Sequence, residues 1–410
     1  MLQGNALVGQ SGGPTAAINA TLAGVIRGVL EQAGQGPIET LYGMRNGVEG
    51  LFRGDYLNLT DCMDDDAKLE QLIHTPAAAL GSCRKKLPDS PDDPAYDTVF
   101  AEFLRLNIRY FFYIGGNDSM DSVVKLTAAA KCRDYDLRVI GVPKTIDNDL
   151  VETDHTPGFG SAAKYVAVSI EEIIRDCSVY TVPAVTIVEI MGRDSGWLTA
   201  ASALPGAVFG EGPDLIYLPE RAFVIDQFLS DVRAALAKHP NVVVAVSEGI
   251  KDENGEYLGG GKTPGGAQDV FAHRYLAGTA KYLETVVKQE IGCKVRAVEL
   301  NLPQRCAAHI ASETDLEESV FIGASAVRAA VDGVSGCMMT FIRTEGDAYG
   351  VVAGTVPAER VANQIKVVPD SMITPDGTGI TDEGIAYLLP LIQGESMPAF
   401  VSGLPLQFKF

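Results

Sequence analysis

The densest group of chemistry-bearing residues in the chain is Lys144-Thr145-Ile146-Asp147-Asn148-Asp149, directly after the apolar run Arg138 to Val142 and Pro143. Two carboxylates separated by one residue, beside a lysine and a threonine, supply the parts of a phosphoryl-transfer centre. One carboxylate can take the proton of an attacking alcohol, and the other can help hold Mg²⁺ directly or through water. The lysine neutralises charge on the moving phosphoryl group. An Asx-rich turn also uses aspartate and asparagine, but it gives no reason for Lys144.

Other loops share this setting. Ser11-Gly12-Gly13-Pro14-Thr15 follows Ala6-Leu7-Val8 and precedes a helical stretch to about Gln32, so its N–H groups can face an anion at a helix N-terminus. A purely structural turn needs similar glycines, and the segment matches neither Walker A nor the dinucleotide fingerprint. Gly115-Gly116-Asn117-Asp118-Ser119 repeats the context after Ile108 to Ile114 and adds a carboxamide and a carboxylate, although Asn or Asp beside Ser also starts helices. Met191-Gly192-Arg193 follows Val185 to Ile190, and Glu248-Gly249 follows Val242 to Val246 and Ser247. Arg193 suits an anion and Glu248 suits sugar hydroxyls; singly, each is an ordinary surface charge. Gln304-Arg305 adds a cation after the β-rich run Val295 to Leu302.

These loops need a scaffold that brings them together. Short Val- and Ile-rich runs, each followed by a polar loop and several by a helical stretch, read as buried parallel strands covered by helices. Ligands of such sheets sit beyond the carboxyl ends of the strands, where all these loops fall. Two stretches read as loop insertions: Leu87 to Pro94, rich in Pro and Asp, and Lys251 to Gln268, glycine-rich around Lys262 and Pro264.

The chain has 410 residues, which favours two domains. Its 33 Lys and Arg against 53 Asp and Glu leave a net charge of −20, so nucleic acid and anionic membranes are poor partners. An anionic small ligand must then be held by a local group of Arg, Lys and backbone N–H. No apolar run is long enough to span a bilayer, and Met1-Leu2-Gln3-Gly4-Asn5 does not open a secretory leader. Seven scattered Cys without a Cys-x-x-Cys pair read as reduced thiols of a cytoplasmic protein, and five His show no zinc spacing.

Taken in order, these segments resemble the phosphofructokinase family. The matching pieces are Ser11-Gly12-Gly13, Leu80-Gly81-Ser82 with Arg84, Gly115 to Ser119, Thr145 to Asp149, Met191-Gly192-Arg193, Glu248-Gly249 and Gln304-Arg305, over about residues 5 to 310. The resemblance is closest to the pyrophosphate-dependent branch. ATP-using members typically carry glycine where this chain has Asp118 and Lys144. A carboxylate where a nucleotide α-phosphate would lie repels it and fills its space, while a lysine neutralises a leaving phosphate that carries no nucleoside.

The resemblance implies two Rossmann-like α/β domains with mostly parallel sheets and an active site in the cleft between them. It implies a diphosphate-binding domain from 1–160 plus about 306–375, and a fructose 6-phosphate domain from 161–305 plus the C-terminal segment. Asp147 would accept the proton of the 1-hydroxyl. Thr145, Ile146, Met191, Gly192, Arg193, Glu248 and Arg305 would surround the sugar phosphate. Gly12, Gly13, Arg84 and Gly116 would contact the diphosphate, with Asp118 and Lys144 selecting it, and Mg²⁺ would lie near Asn117, Asp118 and Asp149. A homodimer or homotetramer is implied, in which Arg296 reaches across an interface. The chain departs from the family pattern at Asn117, usually Asp in the ATP branch, at Leu302, often His, and at Ala184, often an interface Arg. The rival readings are an ATP-dependent enzyme, disfavoured by Asp118 and Lys144, and a catalytically silent regulatory subunit, disfavoured by Asp147 and Arg193.

Overall fold

The buried runs pair into two main sheets in a computed structural model that describes residues 2–410 except 33, 64, 259–277 and 347. The chain lays down β1 (Gly4–Gln10), β2 (Ile38–Met44), β3 (Tyr56–Asn58), β4 (Ile108–Gly115) and β5 (Arg138–Pro143) in a first sheet. It then forms a second from β6 (Ala184–Ile190), β7 (Leu215–Tyr217), β8 (Asn241–Ser247) and β9 (Lys294–Glu299), and returns to the first with β10 (Cys337–Arg343) and β11 (Val351–Pro357). The orders are β11-β10-β5-β4-β1-β2-β3 and β7-β8-β6-β9. Only the edge strands β3 and β11 run antiparallel; every other pairing in the first sheet, and all of the second, is parallel.

Side-chain alternation divides each sheet into two buried faces. Ala6 and Val8 of β1 pack beneath helices Ile18–Leu30 and Glu313–Val331, while Leu7 faces helices Ala95–Arg105 and Asn117–Cys132. In the second sheet Val188 and Ile190 pack on helix Phe159–Cys177, and Val185 and Ile187 on helices Ile225–Leu236 and Thr279–Glu290. Where the first pair of helices cross, a Cβ on Gly24 would lie 2.1 Å from the Val320 carbonyl oxygen, and one on Gly323 would lie 2.2 Å from that of Thr21. No larger residue fits either place.

The expected run Val295 to Leu302 stops early as a strand, at Glu299. Asn301 turns left-handed at φ 51°, Pro303 has no N–H to give a ladder, and Leu302–Arg305 forms a short 3₁₀ turn. Val368, Ile373 and Leu388 pack with the second sheet's core, whereas Phe408 and Phe410 pack against the first sheet's. Residues 87–94 form no strand or helix, and Lys262 and Pro264 lie outside the described residues. No described helix is long and apolar enough to cross a membrane.

Candidate active site

The carboxyl ends of β1, β4 and β5 face those of β6 and β8 across a cleft of about 310 Å³. Its walls carry Gly12, Gly13, Arg84, Gly116, Asn117, Asp118, Lys144, Thr145, Ile146, Asp147, Asp149, Met191, Arg193, Glu248 and Arg305. Segments far apart in sequence therefore converge because most of them follow parallel strands of one of the two sheets, as expected for ligand sites in such folds. Arg84 comes in on the irregular stretch after helix Asp66–Ile73.

Local chemistry fixes each loop. Gly12 takes the left-handed φ of 76° at the end of β1, and the buried Lys144 donates from Nζ to the Gly13 carbonyl at 2.6 Å. Asp118 sits in the first turn of helix Asn117–Cys132, where the helix dipole favours a negative charge. The Asp147 N–H donates to Thr145 Oγ1 at 3.1 Å and closes the turn that carries both aspartates. On the opposite wall the Gly192 N–H donates to Glu248 Oε1 at 3.4 Å, and the Met191 N–H to Gln304 Oε1 at 3.1 Å. Gly249 must be glycine, since a Cβ there would lie 1.6 Å from the Arg193 carbonyl oxygen.

The electrostatics are those of a crowded, desolvated site. Burial, then the charges of Asp149 and Glu248, pushes the Asp147 carboxyl above the usual carboxylate range against the pull of Lys144 and Arg193. Burial likewise raises Asp149. Glu248 is pushed up to about 7, chiefly by burial, with Glu189 adding to it and the Gly192 hydrogen bond opposing. Burial lowers Lys144 to about 8; Asp147 and Asp149 resist the shift while Arg305 and Arg84 reinforce it. Arg193 Nε is buried without a hydrogen-bond partner. A buried guanidinium N–H left open in a polar cleft calls for an anionic or acceptor-rich ligand.

The phosphofructokinase family profile matches residues 5–330. The chain belongs to the phosphofructokinase family. It is 42% identical over 99% of its length to the pyrophosphate–fructose 6-phosphate 1-phosphotransferase of Xanthomonas campestris, covering 96% of that protein. Among solved structures, the pyrophosphate-dependent phosphofructokinase of Marinobacter aquaeolei matches with a TM-score of 0.87 and 38% identity, covering 98% of this chain and 95% of that one. That of Nitrosospira multiformis matches with a TM-score of 0.88 and 37% identity over the same shares.

Within this phosphofructokinase two of the expected site residues stand apart from the cleft walls. Gly192 supports the site from behind, through its N–H to Glu248. Arg296 lies on β9 in a separate hollow with Tyr180, Ala184 and Lys294, next to Asp176 at 3.8 Å. Leu302 is half exposed on its 3₁₀ turn and does not line the cleft. Sequence reading passed over Lys85 and Lys86, which extend the cationic wall from Arg84 and were visible as a basic run. It also passed over segment 364–368, whose Ile365 lines the cleft. No motif marks that segment, which lies beyond the family profile.

Proposed function

We propose that this chain transfers a phosphoryl group between pyrophosphate and the 1-hydroxyl of fructose 6-phosphate, giving phosphate and fructose 1,6-bisphosphate. The observation that carries this reading is the gathering of Asp118 and Lys144 in one cleft with Asp147. Lys144 and Arg84 neutralise the diphosphate, and Gly12, Gly13 and Gly116 let its oxygens approach the backbone. Asp118 repels the further phosphate of a nucleotide. Arg193, Glu248, Met191 and Arg305 hold the sugar phosphate so that its hydroxyl meets Asp147. Held above the usual carboxylate range, Asp147 can take that proton in one direction and return it in the other, as a reversible transfer requires.

A hard cation with oxygen ligands suits this donor set. Among the described residues no three His, Cys, Asp or Glu side chains form a closed metal cage, but Mg²⁺ needs only one or two carboxylates besides substrate oxygens. Asp118 and Asp149 would hold it, with Asn117 beside them. When bound, Mg²⁺ supplies positive charge to the transferring phosphoryl oxygens.

The diphosphate half of the reading is the part around the first sheet, 1–160 with about 306–375, and the sugar-phosphate half the part around the second. A second subunit would complete the site, with Arg296 and Lys294 reaching the partner's cleft. Lys294 stands directly across the β6–β9 ladder from Ala184 and offers a cation beside the place where an arginine is missing. The reading also places the enzyme in the cytoplasm. Purified protein given fructose 6-phosphate and Mg²⁺ should turn over with pyrophosphate and poorly with ATP. Preference for ATP would overturn the donor assignment, and silence with both donors would make the chain a regulatory subunit.

A further inference from the structure

The segment Gln364 to Val368 threads behind three of the site's loops. The Gln364 carbonyl accepts from Asn117 Nδ2 at 3.2 Å, and the Lys366 N–H donates to the Asp149 carbonyl at 2.8 Å. The Lys366 carbonyl accepts from Ser195 Oγ and from Trp197 Nε1, each at 3.2 Å, while Ser195 Oγ also donates to the Asp147 carbonyl at 3.3 Å. One strand of backbone thus touches the loop bearing Asp118, the loop bearing Asp147 and the loop bearing Arg193.

The side chain of Lys366 adds something the backbone does not. Its Nζ donates to Asn148 Oδ1 at 3.1 Å, to the Asp154 carbonyl at 2.7 Å and to the Thr153 carbonyl at 3.3 Å. Asn148 is fully buried, left-handed at φ 52°, and donates from Nδ2 to the Tyr387 hydroxyl at 2.8 Å. Its neighbours Asp147 and Asp149 line the cleft on the other side. A residue turned inward and gripped at both ends of its carboxamide fixes which way its two neighbours point.

We propose that Lys366 is a positioning residue of the phosphoryl-transfer centre, acting through Asn148 to aim Asp147 and Asp149 into the cleft. This rests on the transferase reading given above. Lys366 touches no reacting atom, so its loss should fall on turnover and not on substrate binding. A displacement on the order of 1 Å in a catalytic group costs about 10²-fold in rate.

The test is steady-state kinetics with pyrophosphate, fructose 6-phosphate and Mg²⁺ on Lys366→Met, Asn148→Gly and the double variant, with melting temperatures alongside. Glycine keeps the left-handed turn and removes only the carboxamide. Each single change should lower kcat by about 10²-fold with both KM values within about threefold. The double variant should fall by about the same 10²-fold, because both changes cut one route. Lys366→Gln, which keeps a donor toward Asn148, should regain part of the lost turnover, and it carries the kinetic test if Lys366→Met does not fold. A folded Lys366→Met with kcat within about threefold of wild type overturns the inference, even if its melting temperature drops. So does a double variant whose losses multiply. An inactive wild type would instead overturn the transferase reading, whereas an active wild type with unaffected variants overturns the positioning role alone.

Discussion

Lys144 Nζ lies 2.6 Å from the carbonyl oxygen of Gly13, so the loop after β5 is tied to the loop after β1 by a buried cation. An ammonium held there costs desolvation, which is why its pKa falls to about 8, and that cost is offset by Asp147 and Asp149 nearby. The same ammonium faces the place where a diphosphate would sit between Gly12 and Arg84. Lys144→Gly should therefore lower kcat with pyrophosphate by about 3–4 kcal/mol of transition-state stabilisation, the worth of one preorganised charge. Asp118→Gly should relax donor choice by removing a repulsive group, and, because Asp118 would also hold Mg²⁺, it should lower the absolute rate with either donor. The measurement is the ATP-to-pyrophosphate ratio of kcat/KM, which should rise most in the double variant. An Asp118→Gly ratio equal to that of wild type would contradict the account.

Asp147 is the expected base. Asp147→Asn keeps the shape of the turn and removes the proton acceptor, so turnover should drop by about 10²–10⁴ while fructose 6-phosphate still binds. Calorimetric binding of the sugar phosphate, set beside kcat, separates the two effects. Retention of more than about a tenth of wild-type turnover would place the base elsewhere.

The hollow beside Arg296 gives a prediction about subunits. Arg296→Ala and Lys294→Ala should each raise the KM for fructose 6-phosphate by about tenfold or more, as loss of a charged hydrogen bond implies, and leave that for pyrophosphate nearly unchanged. Activity per chain should also fall when the protein is diluted until sedimentation shows monomers. Full activity in the monomer would mean that each cleft is complete by itself.

A buried cluster near the Asp147 loop should couple stability to pH. His155 Nδ1 lies 2.9 Å from Asp154 and Nε2 lies 2.7 Å from Glu318, with the ring stacked on Phe341 at 4.7 Å. Burial works against a charged His155, but the hydrogen bonds and charges of Asp154 and Glu318 outweigh it and raise the pKa above the ordinary value. A raised histidine contributes fully below its unfolded pKa of about 6.5, and the contribution fades as pH rises through the folded value. Asp154 is shifted the opposite way: burial raises it, but bonds from His155 and Arg343 prevail and lower it, so its share fades only toward acid. His155→Gln should cost about 3 kcal/mol near pH 6, and its gap from wild type in unfolding free energy should narrow toward alkaline pH. A gap that stays constant with pH would mean that folding does not shift His155 at all, and one that narrows toward acid would mean that it is held neutral in the folded protein.

Much of this molecule is legible in its sequence. The strand after which each loop follows could be read from Val and Ile runs, because parallel strands are buried on both faces and so carry continuous apolar sequence. Asp147 and Lys144 announced themselves because no turn accounts for a lysine beside two carboxylates, whereas Arg193 stood out only within the ordered set of loops. Other parts carried no such mark. The strands β10 and β11 and helix Glu313–Val331 join the first sheet from the far end of the chain, and nothing local says which sheet they complete. Lys366 sits in an unremarkable Ile-Lys-Val-Val run, and only the fold brings its ammonium onto Asn148. Arg296 was visible as a cation, but its seat in a separate hollow follows from strand register.

The glycine contact between Gly24 and Gly323 has a bearing on how the protein is made. While residues 184–299 leave the ribosome, the second sheet acquires all its strands from one continuous stretch, at a modest cost in loop closure. The first sheet at that moment lacks β10, and helix Ile18–Leu30 lacks the partner helix that interlocks with it at these glycines. The outer edge of β5 is then an open ladder of N–H and C=O groups on a nascent chain, a surface prone to pairing with other chains. Completion of the first sheet therefore waits for residues 313–357, and a chain cut short before them would carry a half-formed sheet and not a smaller enzyme.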